Sequence, residues 1–191
     1  MRRIGITGGI GSGKSVVSRL LRIMVYSVYD TDSEAKRLME SSLEVVQKLS
    51  ECFGRDIYHN GRLNRGLLSS RVFGESDKIV LLNSIVHTVV RFDFYRWSES
   101  LNEEICFVES AILYESRFDE LVDEVWTVTA PEELRISRVR QRSGLTEEEI
   151  KKRMAAQLSE EEKQRRAAHI IWNDGNVSVI HRVLSLLKSL E

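Results

Sequence analysis

Proline is nearly missing from this chain of 191 residues: Pro131 is the only one. With no Ser/Pro/Gly-rich linker, low-complexity tract or internal repeat either, a hinged pair of domains is not expected, and a single domain of continuous helices and strands is. Cysteine is scarce too. Cys52 and Cys106 lie far apart and share no metal-ligand spacing with the four histidines, which argues against a zinc site and against a disulfide framework. Both are expected to be buried or half-buried thiols in a reducing cytoplasm. Excess charge of one sign is absent, with 28 Lys and Arg against 29 Asp and Glu, so no global field favours a nucleic-acid backbone or an anionic membrane surface. No apolar run approaches the roughly 18 residues of a membrane span. The opening Met1-Arg-Arg-Ile-Gly-Ile6 passes into a glycine-rich run ending at Lys14 before a signal-like apolar segment accumulates. A small-molecule partner, a cytoplasmic location and a monomer or weak homo-oligomer are the expectations, with no nucleic acid and no membrane.

What is present has a clear period. Short apolar runs at residues 4–7, 25–29, 105–108, 125–128 and 170–172 read as strands buried on both faces, as in a parallel sheet covered by helices. Between them the spacing turns helical, as in Leu82, Ile85, Val86, Val89 and Val90, and again in Ile180, Val183, Leu184 and Leu187. Thr129-Ala-Pro-Glu132, Thr146-Glu-Glu-Glu149 and Ser159-Glu-Glu-Glu162 each match the capping box. Residues 132 to 168 are therefore predicted as successive helices, broken at Ser143-Gly144 and near Ser159.

Residues 8 to 15, Gly-Gly-Ile-Gly-Ser-Gly-Lys-Ser, match the phosphate-loop pattern. Chance alone would give this in about 1% of chains of such length, so the context has to carry the rest. The motif follows an apolar strand and opens the apolar-periodic stretch Val16, Val17, Leu20, Leu21, which is the strand, loop and helix order required. Gly8, Gly9, Gly11 and Gly13 let the backbone curl so that its amides, with those of Ser12 and Val16, and a helix N-terminus converge on phosphate oxygens. Lys14 brings a positive charge to the β- and γ-phosphates, and Ser15 a hydroxyl ligand for magnesium. ATP and Mg2+ are the cofactors this predicts. A glycine-rich turn without a ligand is the bland alternative.

Switch GTPases and ATPases share such a loop, so other motifs must discriminate. There is no Asn-Lys-x-Asp for guanine, and no apolar strand ending in Asp; Glu109 after Ile105–Val108 is the nearest approach. The second strand ends in Asp30-Thr-Asp32, where a doubly wound sheet opens its ligand crevice. One carboxylate there can hold a magnesium-bound water while the other takes the proton of an attacking hydroxyl. Alternatively Asp32 or Ser33 caps the next helix. Four arginines at 135, 138, 140 and 142 precede a Gly-containing break, and Arg138 and Arg142 share one helical face. They suit a lid that closes over ATP, or a solvated face paired with nearby glutamates.

On these residues the sequence resembles the dephospho-coenzyme A kinase family nearly end to end. The resemblance is carried by Gly5 to Ser15, Asp30-Thr-Asp32 with Ala35-Lys36-Arg37, Leu63-Asn64-Arg65 ahead of Val72-Phe73, Leu82-Asn83 through His87, Ile112-Leu113-Tyr114-Glu115, Arg138 to Arg142, Ala155-Ala156-Gln157 and Ile171 to Gly175. It implies an α/β fold: a five-stranded parallel sheet flanked by helices (core about 1–30, 103–136 and 168–191), a helical substrate-binding insertion (about 31–102) and a lid (about 137–167). It implies Asp32 as the base, which leaves Asp30 beside the metal. Lys14 and Arg138 join Asp32 as catalytic residues. Arg142, Asn173 and Gly175 fall near the nucleotide, and Arg65, His87 and Leu113 on the acceptor side. A hydrogen-bonded structural role competes for His87. Thr88 and Ala111 stand where the family usually has proline, Glu109 where Asp is more usual, and the family's glycine ahead of the second strand is missing.

The expected reaction is ATP-dependent phosphorylation of the ribose 3′-hydroxyl of dephospho-coenzyme A. A nucleoside monophosphate, shikimate or gluconate kinase of the same architecture is one alternative. A non-catalytic nucleotide-binding module is another.

Overall fold

The computed structural model describes residues 1–190. In chain order its elements are β1 (Arg2–Thr7), α1 (Lys14–Ile23), β2 (Ser27–Asp30), α2 (Thr31–Ser41), α3 (Leu43–Phe53), β3 (Tyr58–His59), β4 (Arg62–Leu63), α4 (Arg65–Val72), α5 (Ser76–Ser100), β5 (Ile105–Glu109), β6 (Glu124–Thr129), α6 (Glu132–Ser143), α7 (Glu147–Ala155), α8 (Glu160–Arg166), β7 (His169–Trp172) and α9 (Val179–Lys188). The chain divides into two compact units: Met1–Asp30 with the chain from Asn102 onward, and Thr31–Leu101.

The first unit is built on a five-stranded sheet in the order β2-β5-β1-β6-β7, and every neighbouring pair is parallel. Ile4, Ile6, Phe107, Trp126, Val128 and Ile171 from the strands meet Val17 and Leu21 of α1 and Val183, Leu186 and Leu187 of α9 in one buried cluster. The sheet class predicted from the apolar runs is the one observed. Burial on both faces holds for the inner strands β1, β5 and β6 and fades at the edges, where Trp172 is 45% exposed. β1 lies at the centre, and its carboxyl end delivers the chain to residues 8–13 between the ends of β5 and β6.

Local chemistry overrides two of the sequence expectations. The run at 25–29 becomes strand only from Ser27, because Val25 and Tyr26 first close α1: Val25 N–H donates to Arg22 O and Tyr26 N–H to Leu21 O, both at 3.0 Å. That is the Schellman pattern, which needs a left-handed residue, and Val25 supplies it with φ 68°. A β-branched side chain is strained there, while Val25 itself is 87% exposed and so contributes little packing. Val25→Gly is therefore expected to stabilise the protein by about 1 kcal/mol. A higher midpoint in chemical denaturation at unchanged slope is the expected signature; an unchanged or lower midpoint contradicts it.

The second correction is at Thr129-Ala-Pro-Glu132, which does not form a capping box. Pro131 takes the N-cap of α6 without a side-chain bond, since Thr129 is claimed by β6, where it pairs with Trp172 of β7. Thr146 does form the reciprocal box with Glu149, and the Ser159 side chain accepts from Glu162 N–H. Cys106 is buried as expected, but Cys52 is exposed on α3.

The second unit packs Val45, Leu49 and Phe53 of α3 against Ile57, Leu63 and Leu68, with Ile85 and Val89 of α5 alongside. β3 and β4 make a two-residue antiparallel ladder, and Arg71 bridges the Asp56 carboxylate and Phe53 O. Among the described residues no helix is long and apolar enough to cross a membrane.

Candidate active site

The loop after β1 is shaped by glycine where no other residue fits. Gly13, the N-cap of α1, has φ 101°, and a Cβ on it would lie 2.0 Å from Asn173 Nδ2. Gly11 has φ 81°, and a Cβ there would lie 2.5 Å from Arg135 O. Within the loop Ser12 N–H donates to Gly9 O at 3.1 Å, and Lys14 Nζ reaches back to Gly8 O at 2.7 Å and Gly9 O at 3.3 Å. The ammonium is thus held across the mouth of the turn.

The first turn of α1 contains no acidic residue, has no side-chain cap at Gly13, and places Lys14 against the positive end of the helix dipole. An anion satisfies the turn's amides and reverses that unfavourable charge. Val16 N–H bonds Gly13 O at 2.9 Å, so the amides of Ser12 and Val16, both expected to meet phosphate, are engaged within the turn here, with Ser15 exposed beside it. Ser12 Oγ is buried with no hydrogen-bond partner among the described residues, which suits a donor to a phosphate oxygen. The residues of the loop therefore fit a triphosphate.

Two further segments are stapled to this loop. Asn173 Nδ2 donates to Ser12 O at 2.8 Å, and Arg138 Nη2 donates to Asn173 O at 2.9 Å. Arg138 Nη1 lies 3.5 Å from Gly11 O and Ser12 O, so this guanidinium is already seated over the loop. Arg142, one turn further along α6, is exposed. Gly175, φ 92°, completes the turn after β7, where Asn176 N–H donates to Asp174 Oδ1 and holds that carboxyl below its usual range. Arg135 is buried and pairs with Glu160 at 3.2 Å; Glu160 also accepts from Thr129 Oγ1 at 3.0 Å. A cavity of about 610 Å³ flanks this pair, lined by Thr129, Arg135, Gln157, Glu160 and Trp172 among others. None of residues 8–15 lines it, so it is not the triphosphate site.

At the sheet's carboxyl edge, strand register sets Asp30 of β2 beside Glu109 of β5, next to Ile6 of β1. Among the described residues no cluster of three or more His, Cys, Asp or Glu could hold a metal ion. A hydroxyl at Ser15 and a carboxylate at Asp30 nevertheless fit magnesium, which takes few protein ligands and completes its shell with phosphate oxygens and water.

Asp32, Arg65 and His87 belong to the Thr31–Leu101 unit. Asp32 is exposed in the first turn of α2, a position that also suits the helix dipole. Arg65 opens α4 behind the N-cap Asn64, and its 3.5 Å contact with Glu40 is solvent-exposed and weak. His87 is half-buried on α5, and burial, aided by Arg91, depresses its pKa below the ordinary 6.5. Leu113 belongs to the sheet unit and is fully buried, and a Cβ on Gly5 would lie 2.6 Å from its Cδ1. Its side chain serves the core. Glu160 and the loop-facing role of Gln157 had no counterpart in the sequence pattern; only contacts across the fold single them out.

A family model described as dephospho-CoA kinase matches residues 2–178. A dephospho-CoA kinase of Porphyromonas gingivalis is 39% identical over 191 residues, covering 100% of this chain and 95% of the relative. One of Corynebacterium diphtheriae is 38% identical and covers 96% and 94%. A Thermus thermophilus protein of solved structure superposes with a TM-score of 0.87 at 35% identity, over 99% of this chain and 97% of its own. The dephospho-CoA kinase of Campylobacter jejuni, 23% identical with a TM-score of 0.73 over 100% and 98% of the two chains, shares the fold. So does Acinetobacter baumannii shikimate kinase, 16% identical with a TM-score of 0.55 over 100% and 93%.

Proposed function

The chain belongs to the dephospho-CoA kinase family, and from that premise we propose that it moves the γ-phosphoryl group of ATP onto the ribose 3′-hydroxyl of dephospho-CoA, giving CoA and ADP. The observation that carries this reading is the match along the whole chain, joined to a phosphate loop whose Lys14 already spans the turn and whose buried Ser12 hydroxyl has no partner among the described residues.

Each residue has a definite task. The loop amides and Lys14 hold the β- and γ-phosphates. Ser15 and Asp30 would hold magnesium, which offsets phosphate charge as the terminal group leaves. Asp32 accepts the proton of the 3′-hydroxyl as its oxygen bonds to phosphorus and the bond to the ADP oxygen breaks. Arg138, braced by Asn173, and Arg142 offset negative charge on the transferring group. Arg65 and His87 orient the acceptor. The cytoplasm, where ATP is supplied and thiols such as the exposed Cys52 stay reduced, is the proposed setting.

ADP release measured with ATP and a panel of dephospho-CoA, shikimate, gluconate and nucleoside monophosphates tests this directly. Acceptor-dependent ADP is expected with dephospho-CoA alone. ATP binding without ADP from any acceptor would instead make the chain a non-catalytic module.

A further inference from the structure

The phosphate loop is gripped from outside as well as from within. Ile10, its third residue, donates its N–H to the side-chain Oε1 of Gln157 at 3.0 Å. Gln157 follows α7, and its neighbour Leu158 donates N–H to Glu115 Oε1 at 2.6 Å. Gln157 Nε2 lies 3.5 Å from Ala111 O, the same carbonyl that accepts from Lys163 Nζ at 3.1 Å. The α7–α8 junction is thus tied at successive residues to the phosphate loop and to the segment after β5.

That anchor is rigid on its far side. Lys163 is fully buried in α8, its ammonium is 3.7 Å from Glu115, and its carbonyl accepts from Thr127 Oγ1 at 3.2 Å. α8 therefore stands on the sheet, and Gln157 projects from a fixed base. Its amide orientation follows from the contact, since a flipped carboxamide would set NH2 against the Ile10 N–H.

We propose that Gln157 is a positioning residue for phosphoryl transfer. By holding the Ile10 N–H it fixes the peptide plane between Gly9 and Ile10, and so the direction in which the following loop amides meet the triphosphate. A loop free to rotate that plane loses preorganised donors, and displacements of an ångström at such a site cost rate more than binding. The inference rests on residues 8 to 15 cradling triphosphate.

The full-length protein, Gln157→Met and Gln157→Glu are compared for kcat, both KM values and melting temperature. Methionine keeps length but cannot accept; glutamate keeps the acceptor. Gln157→Met is expected to lose about 10-fold or more in kcat with the dephospho-CoA KM within about twofold, and Gln157→Glu to keep kcat within about threefold. Wild-type kcat in the Met variant overturns the proposal, as does an equal loss in both variants that tracks a fall in melting temperature. Should Gln157→Met not fold, Gln157→Glu decides alone: a tenfold loss at unchanged melting temperature overturns it. Wild-type protein without acceptor-dependent ADP release overturns the kinase reading itself, which is a separate failure.

Discussion

Lys14→Ala is expected to lower kcat/KM for ATP by about 10³-fold, with the melting temperature within about 3 °C of wild type. The ammonium sits at the N-terminal end of α1, where the dipole disfavours it, and it donates to the Gly8 and Gly9 carbonyls of the same loop. Removing it costs the fold little. It is expected to cost the reaction the charge proposed to meet the β- and γ-phosphates. Steady-state kinetics alongside thermal denaturation separate the two, and a variant retaining a tenth of wild-type activity contradicts the role given to Lys14.

Asp32→Asn is expected to lower turnover by about 10²-fold or more while ATP binds as before. Asparagine keeps the size and a polar oxygen in the first turn of α2 but cannot take a proton. If Asp32 serves only the helix dipole, the loss appears instead as a few tenths of a kcal/mol of stability with turnover intact. Single-turnover rates with saturating ATP, read beside the affinity for ATP, tell these apart. Near-normal turnover moves the base to another residue.

The parts of this molecule that were legible in its sequence are the parts that local chemistry decides. The glycines of residues 8–15 sit where positive φ or close backbone approach demands them, and the strand-to-helix order around them is set within about one turn of chain on either side. The inner strands announced themselves by unbroken apolar runs, because both of their faces are covered. Where two local signals compete, the sequence misleads. Val25 reads as strand but closes a helix in a left-handed conformation, and Thr129 reads as a cap but is taken by the β6–β7 ladder.

What the sequence hides is held by distance along the chain. Gln157 and Ile10 are 147 residues apart, Asn173 and Ser12 161 apart, and nothing in the run Ala155-Ala156-Gln157 itself marks the glutamine as a partner of the phosphate loop. Arg135 shows the same limit. It stood among four arginines suited equally to a lid or to solvent, yet it is buried against Glu160, whereas Arg138 of the same run is seated over the loop. Only the packing of α6 and α8 beside the ends of β1 and β6 separates those two roles.

The phosphate loop is proposed to deliver the γ-phosphoryl group to one hydroxyl of one acceptor, and the position of phosphorus in the product tests that delivery most directly. Incubation of the purified chain with ATP, magnesium and dephospho-CoA, followed by phosphorus NMR and mass analysis of the product, is expected to show one new monoester on the ribose 3′-oxygen in step with ADP. A phosphate on the 2′-oxygen or on the pantetheine arm, or ADP without any phosphorylated acceptor, would contradict it.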